Sequence, residues 1–161
     1  MPSLPWSETL ELGLSFMDDT HREFVELLAY AESAPDADLP ALWQVLVDHT
    51  AEHFGREDAW MQATGFSTGN CHSTQHRVVL QVLREGATRA EQGDLAPVRQ
   101  MVRELALWFP QHAQSMDAAL ALHLRSVGYD ADSGQVLQPG ALPAAEIHGC
   151  GGSCSTAAES A

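Results

Sequence analysis

Side chains able to bind a metal recur along this chain at the spacing of helical turns: His21, His53, Glu57, His72, His76, His112 and Asp117. His53 and Glu57 are four residues apart, so they would lie on one face of a helix. His72 and His76 share that spacing, and the last two of the set are five apart, which we expect to keep them on one helix flank. Five imidazoles and two carboxylates are too many donors for one ion and suit two ions of near-octahedral coordination.

A purely structural role is the alternative for each of these residues. A single inward-facing histidine in a helical bundle is commonly a hydrogen-bonded core residue, because histidine is intermediate in burial. Five of them in one interior, together with two carboxylates, would cost several kcal/mol without a counter-charge. We therefore interpret the set as a metal site.

Four amphipathic helices are predicted to position these side chains. Pro35 ends the first, Pro40 lies in the first turn of the second, and Asp94 is a candidate N-cap for the fourth. The connections are short, so neighbouring helices run antiparallel, and the sequence predicts an all-α, up-down-up-down four-helix bundle. The predicted helices cover residues 18–34, 38–65, 71–92 and 94–127.

The two ends of the chain have a different composition from the helices. Residues 1–16 contain prolines and scattered apolar residues, which predicts an arm lying over the bundle. From residue 130 the chain is rich in Gly, Ala, Ser and Pro and has no Lys or Arg, which predicts a flexible tail. We thus expect a bundle over 1–129 and a tail over 130–161. The tail ends in a motif of His148, Cys150 and Cys154, which either binds metal, forms a labile disulfide or leaves two free thiols.

Charge and composition exclude several classes of protein. The formal net charge is −14, and all eight basic residues are Arg, so there is no basic patch for nucleic acid or an anionic membrane. No apolar run reaches the roughly 20 residues that span a bilayer, and the N-terminus lacks the pattern of a secretory signal. Three cysteines do not make a disulfide framework. These observations predict a soluble, cytoplasmic protein.

The motifs together resemble those of the hemerythrins, specifically the single-domain bacterial members called bacteriohemerythrins. The resemblance covers roughly residues 5–129 and fills all seven ligand positions of the family. The matching elements are Trp6, the stretch from Gly13 to His21 with its Asp-Asp-Thr-His end, His53-Phe54-x-x-Glu57, Met61, His72-x-x-x-His76, Trp108-x-x-x-His112 and Asp117.

The resemblance implies a non-haem diiron centre. It divides the ligands into three sets: His72, His76 and His112 on one iron, His21 and His53 on the other, and Glu57 and Asp117 bridging both together with an oxo or hydroxo group. The iron with two histidines would keep an open position, at which dioxygen would bind. The implied function is reversible dioxygen binding as a carrier, store or supplier, and not catalysis.

Other functions remain open from the residues alone. An oxygen or redox sensor that signals through its tail is one alternative, and activity on nitric oxide or peroxide or the donation of iron is another. The ligand types would also accept manganese or zinc. We expect a monomer, with an oxygen-using enzyme as a conceivable partner.

Several residues near the predicted ligands bear on the site. His49 lies one turn before His53, where relatives often carry Tyr, and either tunes the site or faces a neighbouring helix. Pro110 is expected to bend the fourth helix, since it removes one backbone hydrogen bond. Trp108 is expected to wall the oxygen pocket, and His123 to lie on the surface, too far along the helix axis to reach the site.

Overall fold

The computed structural model describes residues 1–149, and most of them are helical. One π-helical turn, Ala113–Asp117, joins the fourth helix to the fifth without a loop, so these two form one side of the bundle. The first and third helices each pack against both the second and the fourth. The predicted all-α four-helix bundle is thereby confirmed. The helices are α1 (Ser15–Ser33), α2 (Leu39–Ala63), α3 (Cys71–Glu91), α4 (Ala96–His112) and α5 (Ala118–Ser126).

A buried tryptophan joins the second and third helices in the core. Trp43 is fully buried and donates its indole N–H to the carbonyl of Leu83 at 3.0 Å. A methyl group at Gly86 would lie 2.5 Å from the sulfur of Met101 and 3.1 Å from Trp43 Nε1, so the Met101 side chain would have to move to make room for it. Val45 of the same helix is 49 % exposed. Trp43 lies about 200° around the helix from that position and takes the inner face.

The N-terminal arm is tied to the first helix by a carboxylate. Helix α1 begins at Ser15, three residues earlier than the predicted start at Asp18. The Asp18 carboxylate accepts hydrogen bonds from the backbone N–H groups of Leu12 (2.7 Å) and Gly13 (3.1 Å). Leu10 of the arm is buried in the core. Asp18 therefore holds the turn between arm and helix, with Gly13 at a positive φ of 81°.

The fourth helix begins differently from the prediction. Helix α4 starts at Ala96 with Leu95 as its N-cap residue, and Asp94 does not cap it. The Asp94 carboxylate instead accepts a hydrogen bond from Arg89 Nε at 2.9 Å. An opposite charge within reach on the preceding helix therefore takes the side chain that the sequence assigned to the cap.

The chain after the bundle folds back over the loop between α2 and α3. Strands β1 (Tyr129–Asp130) and β2 (Gln135–Val136) form a short antiparallel hairpin. Further on, the Ile147 N–H donates to the carbonyl of Gly65 and the Ser67 N–H donates to the carbonyl of Ile147, both at 2.9 Å. We call residues 129–149 the C-terminal strap.

The strap differs from the expected flexible tail over residues 130–149. Several of its backbone groups form hydrogen bonds with the body of the protein, which side-chain composition does not reveal. Its last contact is between the Cys71 N–H, at the first residue of α3, and the carbonyl of His148 (3.0 Å). Cys150 and Cys154 lie outside the described residues, and the division of the chain at residue 129 stays a prediction.

His123 also differs from its prediction as a surface residue. It is partly buried, its Nε2 donates to the carbonyl of Thr64 at 2.8 Å, and its ring lies edge-on to Phe66. It therefore joins the end of the fourth side of the bundle to the end of α2. Across the described residues, no helix is long and apolar enough to cross a membrane.

Candidate metal centre

All seven predicted ligand residues meet inside the bundle. None is more than 3 % exposed, and every side of the bundle contributes at least one. Most of the other buried positions of these helices are apolar, so the cluster lies within the hydrophobic core. The donors are His21 on α1, His53 and Glu57 on α2, His72 and His76 on α3, His112 on α4 and Asp117 on the π-helical turn.

The π-helical turn explains how two residues five positions apart share one face. Five residues of a regular α-helix turn through about 500°, which would leave the two side chains about 140° apart. The widened turn at Ala113–Asp117 removes this difference, and Asp117 Oδ1 lies 3.1 Å from His112 Nε2. The two residues therefore share one flank as expected, but through a π-helical turn and not through a regular α-helix. Such π-helical turns are common at functional sites. Pro110 lies inside α4, three residues before the turn, and the bend expected there stays a prediction.

The donor atoms form two groups that share one carboxylate. Within each group, all donor atoms lie within 4.8 Å of one another. We call them the three-residue group and the five-residue group. The former comprises His21, His53 and Glu57, and the latter comprises Glu57, His72, His76, His112 and Asp117.

Both carboxylates point one oxygen to each side of the cluster. Glu57 Oε1 lies 3.0 Å from His53 Nε2, while its Oε2 faces the five-residue group. Asp117 Oδ2 lies 3.2 Å from His21 Nε2, and its Oδ1 lies 3.0 Å from His72 Nε2. A carboxylate that bridges two metal ions must offer one oxygen to each ion, and both Glu57 and Asp117 are oriented in this way.

The donor spacing and the unmet polar atoms fit a pair of metal ions. Neighbouring donors on one octahedral ion with bonds of about 2.1 Å lie about 3.0 Å apart, and the Nε2 atoms of His21 and His53 are 3.1 Å apart. Six further inner atoms are buried and make no hydrogen bond within the described part of the chain, although their neighbours are close. Their separations of 3.0–3.6 Å without hydrogen-bond geometry are those expected of donors around a shared ion. These atoms are Nε2 of His72, His76 and His112, Oε2 of Glu57 and both oxygens of Asp117.

Two hydrogen bonds hold the outer edges of the imidazoles in the five-residue group. His76 Nδ1 donates to Asp58 Oδ1 at 2.8 Å, and His112 Nδ1 donates to Gln75 Oε1 at 2.6 Å. Histidines that bind metals usually donate their second N–H in this way, which leaves Nε2 free for the metal. The sequence analysis missed both acceptors. The one feature of the sequence that points to these acceptors is that each is next to a predicted ligand, Asp58 after Glu57 and Gln75 before His76.

Burial raises the pKa of both carboxyl groups, but the surrounding imidazoles lower both pKa values by more. Burial and the neighbouring Asp117 raise the pKa of Glu57, but His53 and His21 outweigh them and hold that pKa well below its usual range. Burial likewise raises the pKa of Asp117, but His112, His21 and His72 hold it well below normal. Both carboxylates are therefore ionised at neutral pH.

Two of the imidazoles respond to those charges by holding protons. Burial lowers the pKa of His21, but Asp117 and Glu57 outweigh burial and raise it to about 10. In His76 burial is outweighed by Asp58 and Glu57, which raise the pKa to about 9. Burial dominates at His112 and lowers its pKa. In the metal-free chain, protons thus balance the buried carboxylates, and metal ions would replace them.

Aromatic rings cover the two groups on different sides. Phe109 lies edge-on to His21, with ring centroids 5.3 Å apart, and packs against Phe24. Trp108 instead stacks on His112, with centroids 4.5 Å apart and planes 23° apart. Phe109 therefore lies beside the three-residue group, whereas Trp108 covers the five-residue group. The expectation that Trp108 walls an oxygen pocket stays a prediction.

His49 faces the neighbouring helix, the second of its two expected roles. Its Nε2 lies 3.1 Å from Glu23 Oε2 on α1, and its ring centroid is 6.3 Å from that of His53. Burial lowers the pKa of His49 more than the bond with Glu23 raises it. His49 is therefore a neutral neighbour of the cluster at pH 7 and not a member of it.

Comparison with known proteins gives a consistent result. A family model described as "Hemerythrin HHE cation binding domain" matches residues 12–122. A bacteriohemerythrin of Ralstonia nicotianae is 40 % identical over 131 residues, which cover 81 % of this chain and 96 % of the relative. Bacteriohemerythrins of Stenotrophomonas maltophilia (27 % identical; 83 % and 92 % covered) and Pseudomonas aeruginosa (25 %; 73 % and 79 %) also match. No solved structure matches significantly.

Proposed function

The chain belongs to the hemerythrin family of cation-binding domains, and from this membership we propose that its buried cluster binds two iron ions and, at one of them, reversibly binds dioxygen. The observation that carries the proposal is the unequal division of the histidines, three on one side of the bridging carboxylates and two on the other. The ligands of this proposal are His21, His53, Glu57, His72, His76, His112 and Asp117.

Counting donors gives the two positions different capacities. The five-residue group offers three imidazoles and two carboxylate oxygens, which with one oxo or hydroxo bridge fill an octahedral ion. The other position has two imidazoles, two carboxylate oxygens and the same bridge, so one site remains for a small ligand. When bound, the iron pair supplies the electrons that are exchanged with dioxygen.

The chain's own residues favour binding over catalysis. Five neutral imidazoles with two carboxylates contrast with the carboxylate-rich ligand sets of other diiron bundles, and neutral nitrogen ligands do less to stabilise highly oxidised iron. Phe109 and Phe24 close the core beside His21, which excludes water from the side where the small ligand would bind. Glu57 and Asp117, both fully buried, hold the negative charge that the cations would balance.

Iron content and a visible spectrum test this proposal. Purified protein should contain about two irons per chain, and the reduced protein should colour in air and bleach again under inert gas. His53→Gln should abolish the reversible change, whereas His123→Gln, which alters a histidine outside the cluster, should keep it. Iron-free purified protein, or immediate irreversible conversion to the ferric form in the unaltered chain, would contradict reversible binding.

A sensor is the second candidate, and the strap favours it. The carbonyl of His148 accepts a hydrogen bond from the first residue of α3, the helix that carries His72 and His76, so a change at the cluster has a direct path to the C-terminal strap. A change in the strap's susceptibility to protease between the reduced and air-exposed states would support sensing. A cytoplasmic location, a monomeric state and an oxygen-using enzyme as partner stay predictions.

A further inference from the structure

The two donor groups differ in the hydrogen bonds that the Nδ1 atoms of their histidines make, as they differ in the number of histidines. Of the two outer acceptors, Asp58 is a carboxylate and Gln75 is a neutral amide. Both bind imidazoles of the five-residue group. In contrast, the outer Nδ1 atoms of His21 and His53 are buried and have no hydrogen-bond partner between residues 1 and 149. A full negative charge therefore adjoins the imidazoles on one side of the cluster alone.

Asp58 also connects the cluster to solvent. Its side chain is 35 % exposed, whereas that of His76 is 2 % exposed. Asp58 and the edge of His76 line a surface cavity of about 250 Å³. On its face the imidazole of His76 stacks on Phe54, with centroids 4.0 Å apart and planes 5° apart. Rotation of the imidazole would break the stacking contact and the bond to Asp58 together, so its orientation is fixed.

The chemistry of this bond depends on the charge of the acceptor. A carboxylate draws the Nδ1 proton more strongly than an amide does, which raises the electron density at the opposite nitrogen, Nε2. Hydrogen bonding to a metal ligand is one of the means by which proteins set reduction potentials. His76 should therefore be a stronger donor than His112, although both belong to the same group.

We propose that Asp58 is a positioning residue that, through His76, fixes the donor strength of the five-residue group and so lowers the reduction potential of the metal held there. This inference rests on the proposed diiron function. Gln75 orients His112 by the same geometry but adds no charge. The two positions of the cluster would then differ in potential as well as in open coordination sites, with the coordinatively filled position the one that more readily stays ferric.

A reciprocal pair of substitutions tests the proposal. Asp58→Asn keeps an acceptor oxygen and removes the charge, and Gln75→Glu adds a charge at the matched position. The first readout is the midpoint potential of the iron-loaded protein, measured by spectroelectrochemical titration without dioxygen. The second is the ¹⁵N chemical shift of His76 Nδ1 in zinc-loaded protein, which reports the hydrogen bond directly. We expect Asp58→Asn to raise the potential and to shift the His76 signal, and Gln75→Glu to lower the potential.

Two outcomes would overturn the inference. One is a potential that stays at the wild-type value in Asp58→Asn or, if that variant loads no metal, in Gln75→Glu. The other is an unchanged His76 signal in Asp58→Asn, which would mean that the bond does not act on the imidazole. Asp58→Asn that fails to load metal leaves Gln75→Glu to decide. Failure of the wild type to bind dioxygen would contradict the proposed function alone, because neither readout uses dioxygen.

Discussion

Phe109 packs edge-on against the imidazole of His21, with ring planes 87° apart, and it is 1 % exposed. Phe109→Leu should open space beside the three-residue group and speed conversion of the reduced protein to the ferric form several-fold. The stability cost should be smaller than the roughly 3–5 kcal/mol of a Phe→Ala change. The rate is followed by visible absorbance in air, and stability by urea unfolding. Trp108→Leu, which alters the ring on His112, is the matched control, and a faster rate in this variant alone would place the small ligand on the other side.

Glu57 belongs to both donor groups, so its loss should affect both positions. Glu57→Ala should lower the iron content well below one per chain. His53→Ala removes a donor from the three-residue group only and leaves all five donors of the other group, so it should retain about one iron. Iron per chain is measured by elemental analysis of folded protein, with helicity checked by circular dichroism. Equal iron contents in the two variants would contradict a shared bridge.

The π-helical turn holds one residue more than a regular helix would need. Deletion of Ser115, which is exposed, should convert the turn to α-helix and leave His112 and Asp117 four positions apart, still on one face. Iron content should therefore be retained. Deletion of Leu107, also exposed but within regular α4, rotates everything after it by about 100° and should abolish iron binding. Loss of iron in the Ser115 deletion would show that the widened turn is itself required.

Metal loading should release protons at neutral pH. The pKa values of His21 and His76 are raised to about 10 and about 9 in the metal-free chain, and metal ions bind only neutral imidazole. Loading with Zn²⁺ between pH 7 and 8 should thus release about two protons per chain, as measured by titration calorimetry in buffers of different ionisation enthalpy. Heats that do not depend on the buffer would contradict the protonated metal-free state.

The same shifts determine how metal-free stability depends on pH. Each of these histidines has a folded-state pKa above its unfolded value of 6.5. Their contribution to the free energy of unfolding is therefore fully present below pH 6.5 and is lost as the pH rises through 9 to 10. Urea unfolding of the metal-free protein at several pH values measures this loss, and His21→Gln should reduce it.

The parts of the site that were predictable are those set by helical periodicity. A period of 3.6 residues places His53 with Glu57 and His72 with His76 regardless of what surrounds them. The apolar residues at the same period indicate which face turns inward, and short loops then bring the faces together. Residue type supplies the rest, since imidazoles and carboxylates that are buried together need a cation.

The parts that were not predictable depend on contacts between elements. The bonds from His76 to Asp58 and from His112 to Gln75 each cross between helices, so they depend on side-chain directions that spacing does not fix. The π-helical turn adds one residue to a regular pattern, and its only trace is the five-residue interval before Asp117. The C-terminal strap is held by backbone hydrogen bonds, which cannot be predicted from side-chain composition.

The C-terminal strap brings residues 147 and 148 next to the start of α3. The carbonyl of His148 accepts the Cys71 N–H, and Cys71 directly precedes His72, so the last described residues of the strap lie beside the first turn of a ligand-bearing helix. A dye attached at Ile147 or His148 would thus lie beside the helix that carries His72 and His76 and would disturb its contact with the strap. A reporter is better attached at the N-terminus, because Met1 is exposed and lies near the end of α1, beside Tyr30 and Ser33.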